Sequence, residues 1–200
     1  LVSVLVSTYN SECYLRACLE DLEAQTIAPR LEIIVIDSGS QQNERAIVEE
    51  FQQRHRNIVY LRTERETLYA AWNRGVRMAR GQFITNANSD DAHRPDALEI
   101  LAAALGKHPE ASLAYGDFFT SVVPNDTFTN PHILRRVVLP PYHPATLLFY
   151  CVIGCHPMWR RTVFDKIGLF DASFTISGDY EFLLRFAQAG LRAVRVPQEL

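Results

Sequence analysis

The sequence FITNANSDD at Phe83–Asp91 carries a short apolar run directly into amide and acid side chains. Pro95 and an apolar-periodic stretch follow, so the segment predicts a strand, a polar loop and a helix. The adjacent carboxylates Asp90 and Asp91 repel each other, and a hard divalent cation would relieve that repulsion. Ligands of open α/β sheets bind at the carboxyl edge of the strands. The stretch therefore predicts either a cation-dependent phosphate site or a solvated acidic loop that caps the next helix.

Strand and helix patterns alternate around this stretch. Apolar, β-branched runs predict further strands over residues 1–6, 33–36 and 58–61. Helical periodicity predicts a helix after each, over residues 11–22, 43–54 and 68–79. The spacing is typical of βαβ units and a parallel sheet, whose buried strands read as continuous apolar runs. We place Gly81 at the C-cap of the third helix and Pro95 at the start of the fourth.

The pattern changes after about Ser112, and short strand-like pieces replace the regular alternation. Residues 113–123 predict one or two strands, and residues 124–144, rich in Pro, Asn and Asp, predict a long loop. Strand-like pieces at Met158 and near residues 194–196 flank a helix that Asp179 opens. We therefore predict one continuous domain with two parts, residues 1–111 and 112–200. The chain starts inside a strand without Met, which suggests a fragment of a longer protein.

Composition narrows the possible classes of protein. With 200 residues and 48% hydrophobic content, the chain can bury one sizeable core. A net charge of -3 gives no basic footprint for nucleic acid. No run of 18 apolar residues predicts a membrane span, and no signal peptide is visible. Cys151, Cys155 and His156 fit no common zinc spacing, so we interpret the four cysteines as buried thiols.

Three polar clusters follow predicted strands: Thr8-Tyr9-Asn10, Asp37-Ser38 and the 88–91 stretch. Parallel strands end at one edge of a sheet, so the three clusters should lie together and form a nucleotide site. Neither G-x-G-x-x-G nor G-x-x-x-x-G-K-[ST] occurs, which leaves a metal as the simpler way to neutralise a diphosphate.

Three further groups of polar residues have a structural interpretation, and two of them also have a functional one. Asn73-Arg74-Gly75 is either a surface turn of the third helix or a ligand contact. Asp179 is either a helix N-cap or a general base fixed at a helix start. His156 is interpreted as a core residue.

Taken in order, the motifs resemble those of family 2 glycosyltransferases, an inverting family with the GT-A fold. The matching stretches, which cover nearly the whole chain, are VSVLVSTYN, EIIVIDSGS, AAWNRGVRMARGQFITNANSDDAHRPDAL and IGCHPMWRRTVFDKIGLFDASFTISGDYEFLLR. The resemblance implies an α/β fold of the GT-A type, with a mostly parallel, Rossmann-like sheet flanked by helices. It also implies a UDP-sugar donor, Mn²⁺ or Mg²⁺, and transfer to a carbohydrate or lipid-linked acceptor in polysaccharide or glycoconjugate synthesis.

The resemblance also implies roles for individual residues. By it, Asp90 is the metal ligand and Asp179 the catalytic base. The remaining residues that it assigns to nucleotide-sugar binding are Thr8, Tyr9, Asp37, Asn73, Arg74, Asn88 and Asp91. The cytosolic supply of nucleotide sugars, with no export signal in the sequence, predicts a cytoplasmic location or the inner face of the membrane.

Three positions depart from the family's pattern. Ser7 stands where the family usually has Pro, and Ser38 replaces a second acid. Asn88 replaces the first acid of the DXD motif and brings no charge. Asn88 leaves one alternative open, a non-catalytic nucleotide-sugar-binding module of the same fold. A second alternative is a sugar-nucleotidyltransferase, which shares the sheet and the pairing of acids with a metal. The second would need a Gly-rich, basic loop where Ser7-Thr8-Tyr9-Asn10 stands.

Overall fold

In the computed structural model, which describes residues 1–200, a sheet of eight strands runs through the molecule. The strands are β1 (Val2–Thr8), β2 (Leu31–Asp37), β3 (Ile58–Arg62), β4 (Phe83–Asn86), β5 (Ala111–Ser121), β6 (Ile133–Val137), β7 (Met158–Arg160) and β8 (Arg192–Glu199). The helices are α1 (Glu12–Glu23), α2 (Glu44–Arg54), α3 (Leu68–Met78), α4 (Ala97–Lys107), α5 (Thr162–Ile167) and α6 (Gly178–Gln188). The α/β class and the parallel first half are confirmed.

The first four strands are parallel, in the spatial order β3-β2-β1-β4. All seven residues of β2 are buried, as expected of a strand covered on both faces. Side chains of β1 alternate between two cores. Val4 packs with α1, α2 and α4, whereas Leu5 packs with α3, α5 and α6 on the opposite face. The molecule therefore has three layers, and the carboxyl ends of β1, β2 and β4 open at one edge.

Strand β7 breaks the parallel arrangement, because it runs antiparallel between β4 and β5. Polar side chains of β4 hold the segment that leads into it. The Thr85 hydroxyl donates to the Pro157 carbonyl at 3.0 Å, and the Asn86 amide donates to the Cys155 carbonyl at 3.3 Å. The segment before β7 is thereby fixed beside the acidic loop that follows β4.

Three local predictions need correction. Residues 124–144 are not one long loop, because Ile133–Val137 forms β6 against the outer half of β5. Gly81 does not cap α3, which ends at Met78 with Ala79 as its C-cap. A Cβ atom at Gly81 would lie 2.6 Å from the Ser3 amide nitrogen, so this glycine permits close approach to β1. Pro95 lies one residue before the Asp96 N-cap of α4 rather than inside the helix.

The cysteine prediction is only partly correct. Cys18 is buried and Cys155 is partly buried, but Cys13 and Cys151 are exposed. No group of three or more His, Cys, Asp or Glu side chains is arranged to hold a metal ion by itself. None of the helices is both long and apolar enough to span a membrane.

Candidate active site

A cavity of about 560 Å³ opens at the carboxyl edge of the parallel strands. Its lining comes from the ends of β1 and β2, the start of α3, the acidic loop and the segment before α6: Ser7, Thr8, Tyr9, Ser11, Ser38, Arg65, Glu66, Thr67, Leu68, Ala71, Ser89 and Thr175. The three polar strand ends predicted to lie together do meet here. The walls are mostly hydroxyl and charged groups, which suits a polar ligand of nucleotide size.

Asp37, at the end of β2, is buried next to Ser38 of the cavity wall, and both of its carboxylate oxygens are hydrogen-bonded. It accepts hydrogen bonds from the Tyr60 hydroxyl at 2.5 Å, the Ser40 amide at 2.7 Å and the Arg62 guanidinium at 2.9 Å. Burial alone would raise the pKa of Asp37, but these donors outweigh it and hold the pKa below its ordinary value. Asp37 is therefore a fixed negative charge that organises the loop after β2.

The Tyr9 ring, at the end of β1, is partly exposed in the cavity wall. The Arg65 guanidinium lies over it at 3.6 Å from the ring centroid, a cation–π contact. Next to it, the Thr8 and Ser11 hydroxyls are hydrogen-bonded at 2.6 Å. The cavity therefore offers an aromatic face with a cation above it, a combination that can take both a planar base and a phosphate.

The acidic loop holds its two carboxylates in different environments. Asp90 is exposed and makes no hydrogen bond or ion pair within the chain. Asp91 accepts a hydrogen bond from the Asn88 amide at 2.8 Å, and its Oδ2 lies 3.4 Å from His156 Nε2. Burial would raise the pKa of Asp91, but His156 and Asn88 outweigh it and lower the pKa. Asp90 is therefore free to bind an ion, whereas Asp91 is held inside the protein.

Two histidines lie face to face behind this loop. The ring centroids of His93 and His156 are 4.0 Å apart. His93 is fully buried, and its Nδ1 and backbone amide both bond to the Asp21 carboxylate, at 2.9 and 3.0 Å. Burial lowers the pKa of His93, because the charged ring would lose its hydration there. His156, interpreted from the sequence as a core residue, is indeed nearly buried, but it lies against Asp91.

Asp179 lies in the first turn of α6, exposed, with Ser177 rather than Asp179 at the N-cap. The Tyr69 hydroxyl, from α3, donates to Asp179 Oδ1 at 3.0 Å. Gly178 packs so closely on the Tyr69 ring that a Cβ atom there would lie 2.7 Å from it. Neither Tyr69 nor Asp179 lines the cavity, but Thr67 and Leu68, which directly precede Tyr69, and Thr175, which precedes α6, do.

Asn73 and Arg74, on α3, are engaged within the protein. The Asn73 amide is buried, donates to the Phe170 carbonyl at 2.7 Å and accepts from the Phe170 amide at 2.9 Å. Arg74 forms an ion pair with Glu66 at 2.8 Å. Only Glu66 of these residues lines the cavity. A donor contact by Asn73 or Arg74 stays a prediction of the sequence.

Sequence reasoning missed several residues of this region. Tyr60 and Arg62 hold Asp37, Arg65 covers Tyr9, and Tyr69 holds Asp179. Tyr60 and Arg62 are two positions apart in β3, so they lie on one face of the sheet, and their strand neighbours in β2 are Val35 and Asp37. This alternation is a signal that the sequence does contain. No local pattern indicates Tyr69, which is 110 positions from Asp179.

Comparison with known proteins gives consistent results. The family model "Glycosyl transferase family 2" matches residues 3–168. A relative from Mycobacterium bovis, named PGL/p-HBAD biosynthesis glycosyltransferase, is 27% identical over 188 residues, which cover 92% of this chain and 69% of the relative. Other relatives are matched over much less of their length, 30% in one and 17% in another.

Two solved structures share the fold. S. aureus TarS 1-349 in complex with UDP has a TM-score of 0.78 and 20% identity, over 99% of this chain and 58% of that one. The mannosyltransferase PcManGT from Pyrobaculum calidifontis, in complex with GDP-Man and Mn²⁺, has a TM-score of 0.74 and 18% identity, over 98% and 55%. This chain therefore spans little more than half the length of these structures.

Proposed function

Since the chain belongs to glycosyl transferase family 2 and has the GT-A fold, we propose that it transfers a sugar from a nucleotide-diphosphate sugar to an acceptor hydroxyl with inversion. The observation that carries the proposal is the cavity, which has the Tyr9 ring in its wall at the end of β1 and Ser89 of the acidic loop at the end of β4, next in sequence to the unpaired carboxylate of Asp90. We propose a UDP-sugar as donor, supported by the UDP complex of TarS. Residues 1–111 would bind the donor, and residues 112–200 would shape the acceptor side.

The nucleoside would bind between the ends of β1 and β2. The Tyr9 ring supplies a stacking face and Thr8 a hydroxyl, while Asp37 holds the loop that borders them. Arg65 covers Tyr9, so a stacked base would displace its guanidinium toward the phosphates. Asn88 and Asp91 complete the donor side next to the diphosphate.

A divalent cation fits the acidic loop. Asp90 is an exposed carboxylate without a partner, and Mg²⁺-type ions are often held by one or two carboxylates together with substrate phosphates. Asn88 could add its side-chain carbonyl oxygen, because only its amide nitrogen is used for Asp91. When bound, the ion, Mn²⁺ or Mg²⁺, neutralises the charge that develops on the departing diphosphate.

Asp179 would act as the general base. Tyr69 fixes one carboxylate oxygen of this exposed residue, and the other would accept the proton of the acceptor hydroxyl. As that proton leaves, the hydroxyl oxygen bonds to C1 of the sugar and the bond from C1 to the diphosphate breaks. A single displacement of this kind inverts the anomeric centre.

Apolar side chains lie exposed on the acceptor side, near α6. Leu148, Phe149 and Ile176 are 76%, 81% and 78% exposed. The hydroxyl of Tyr180, in α6, bonds to the main chain of the segment that carries the first two. These side chains support an acceptor with an apolar portion, such as a lipid-linked sugar.

The test compares transfer and donor hydrolysis by the wild type, Asp179→Asn and Glu181→Gln. Glu181 is the matched control, because it lies in the same helical turn but is paired with Arg185. We expect Asp179→Asn to lose at least about a hundredfold in turnover while keeping UDP binding, and Glu181→Gln to lose little. Full turnover in Asp179→Asn would eliminate Asp179 as the base. Binding of UDP-sugars with neither transfer nor hydrolysis in the wild type would favour the non-catalytic alternative.

A further inference from the structure

The group of side chains behind the acidic loop comes from three separate parts of the chain. Asp21 belongs to α1, Asp91 and His93 follow β4, and His156 precedes β7. These side chains form a continuous chain of contacts. Asp21 is hydrogen-bonded to His93, the His93 ring packs on the His156 ring, and His156 lies next to Asp91. The proposed mechanism assigns no role to either histidine.

The burial of these histidines calls for an explanation. His93 Nε2 and His156 Nε2 are both buried nitrogen atoms without a hydrogen-bond partner. Each such atom costs about 1–3 kcal/mol relative to hydration. Two apolar side chains of similar size would fill the same space without that cost. The two imidazoles therefore serve a purpose other than packing.

The position of His156 Nε2 indicates that purpose. It lies 3.4 Å from Asp91 Oδ2, just beyond hydrogen-bond distance, and a proton on Nε2 would let it donate after a shift of a few tenths of an ångström. The other side of Asp91 is held by the Asn88 amide. Asp90 lies between these fixed residues, so holding Asp91 also sets where the free Asp90 carboxylate points.

We propose that His156 is a positioning residue, which rests on His93, holds Asp91 and so fixes the loop that presents Asp90 to the cation and diphosphate. The proposal rests on the proposed function for the role of Asp90, but the contact between His156 and the loop does not depend on it. Groups that orient metal ligands typically change metal affinity 10- to 100-fold when they are removed.

Three variants test the proposal. His156→Ala removes the contact, and His156→Gln restores an N–H group near the position of Nε2. His108→Ala is the control, because the His108 side chain is half exposed and its one side-chain partner is Glu110 on the surface.

The first measurement is hydrogen exchange of residues 88–94 in protein freed of metal with a chelator. We expect His156→Ala to exchange about tenfold faster there, and His156→Gln and His108→Ala to resemble the wild type. The second measurement titrates Mn²⁺ at fixed UDP and follows thermal stability. We expect His156→Ala to need about tenfold more Mn²⁺ for the half-maximal shift, with UDP binding in EDTA and kcat at saturating Mn²⁺ within about threefold of wild type.

Each outcome decides. Faster exchange together with weaker Mn²⁺ binding, both rescued by Gln, supports the proposal. Unchanged exchange overturns it, and if Mn²⁺ binding is nonetheless weaker, His156 contacts the ion itself. If Mn²⁺ has no effect on nucleotide binding by the wild type, the proposed function fails, and the exchange rates still decide whether His156 holds the loop.

Discussion

Replacing Asn73 with alanine should destabilise the protein by about 3 kcal/mol. The Asn73 amide makes two hydrogen bonds to the main chain of Phe170, at 2.7 and 2.9 Å, much as a neighbouring strand would. Phe170 is buried, with its ring packed on Trp72 and Phe182. Water has little access to the two main-chain groups once the amide is gone.

The magnitude follows from those two groups. A buried donor or acceptor left without a partner costs about 1–3 kcal/mol, so two cost about 2–6 kcal/mol. Local movement of the segment around Phe170 would let one group reach water, which favours the lower part of that range. With a urea dependence of about 2 kcal/mol per M, a loss of 3 kcal/mol lowers the unfolding midpoint by about 1.5 M.

Urea unfolding of Asn73→Ala and Arg74→Ala measures the effect. Arg74 is the matched control, since it lies next in α3 and its side chain, paired with Glu66, is about half exposed, which makes the ion pair worth about 1 kcal/mol or less. A loss below 1 kcal/mol in Asn73→Ala would refute the structural reasoning. If the same variant also raised the KM for donor severalfold, Asn73 would instead contact the donor, as the sequence predicts.

Two further predictions concern stability. Gly81→Ala should destabilise the protein by about 1–3 kcal/mol, because the new Cβ would meet the backbone of Ser3. Gly106→Ala, which has open space around it in α4, should stabilise the protein by about 0.4–1 kcal/mol. Thermal unfolding of both variants measures these effects, and equal changes in stability would contradict the prediction. The Asp37 carboxylate should contribute stability that is complete above its ordinary pKa of 3.8 and lost as the pH falls through its lower pKa in the folded state. Asp37→Asn should therefore be least stable relative to wild type at neutral pH, with the gap closing in acid, and a gap independent of pH between about 2 and 6 would count against the pKa assignment.

Much of the fold could be predicted from local patterns. The buried positions of α1 (Leu15, Cys18, Leu19 and Leu22) are those that helical periodicity places on one face. Strand β2 is a continuous apolar run, and its burial on both faces follows from that. Strands β6 and β7 are harder to predict from sequence, because they have only five and three residues and are stabilised by strands far along the chain. Local propensity carries little information about such pairings.

Some features of the candidate site could also be predicted from the sequence, and others could not. Its place at the strand ends follows from parallel topology, so the meeting of Thr8, Ser38 and the acidic loop could be predicted. The hydrogen-bond partners of these groups could not. Tyr69 and Asp179 are 110 positions apart and Asn73 and Phe170 are 97 apart, and no periodicity links residues at such separations.

The antiparallel strand β7 has a consequence for building chimeric enzymes. Pro157 and Cys155 lie in the second half of the sequence, yet their carbonyls are held by Thr85 and Asn86 of the first half. A recombination breakpoint near residue 112 would separate these partners, although it leaves every helix intact. Exchanging acceptor halves among relatives should therefore succeed best when β4 and the segment before β7 are inherited from the same parent.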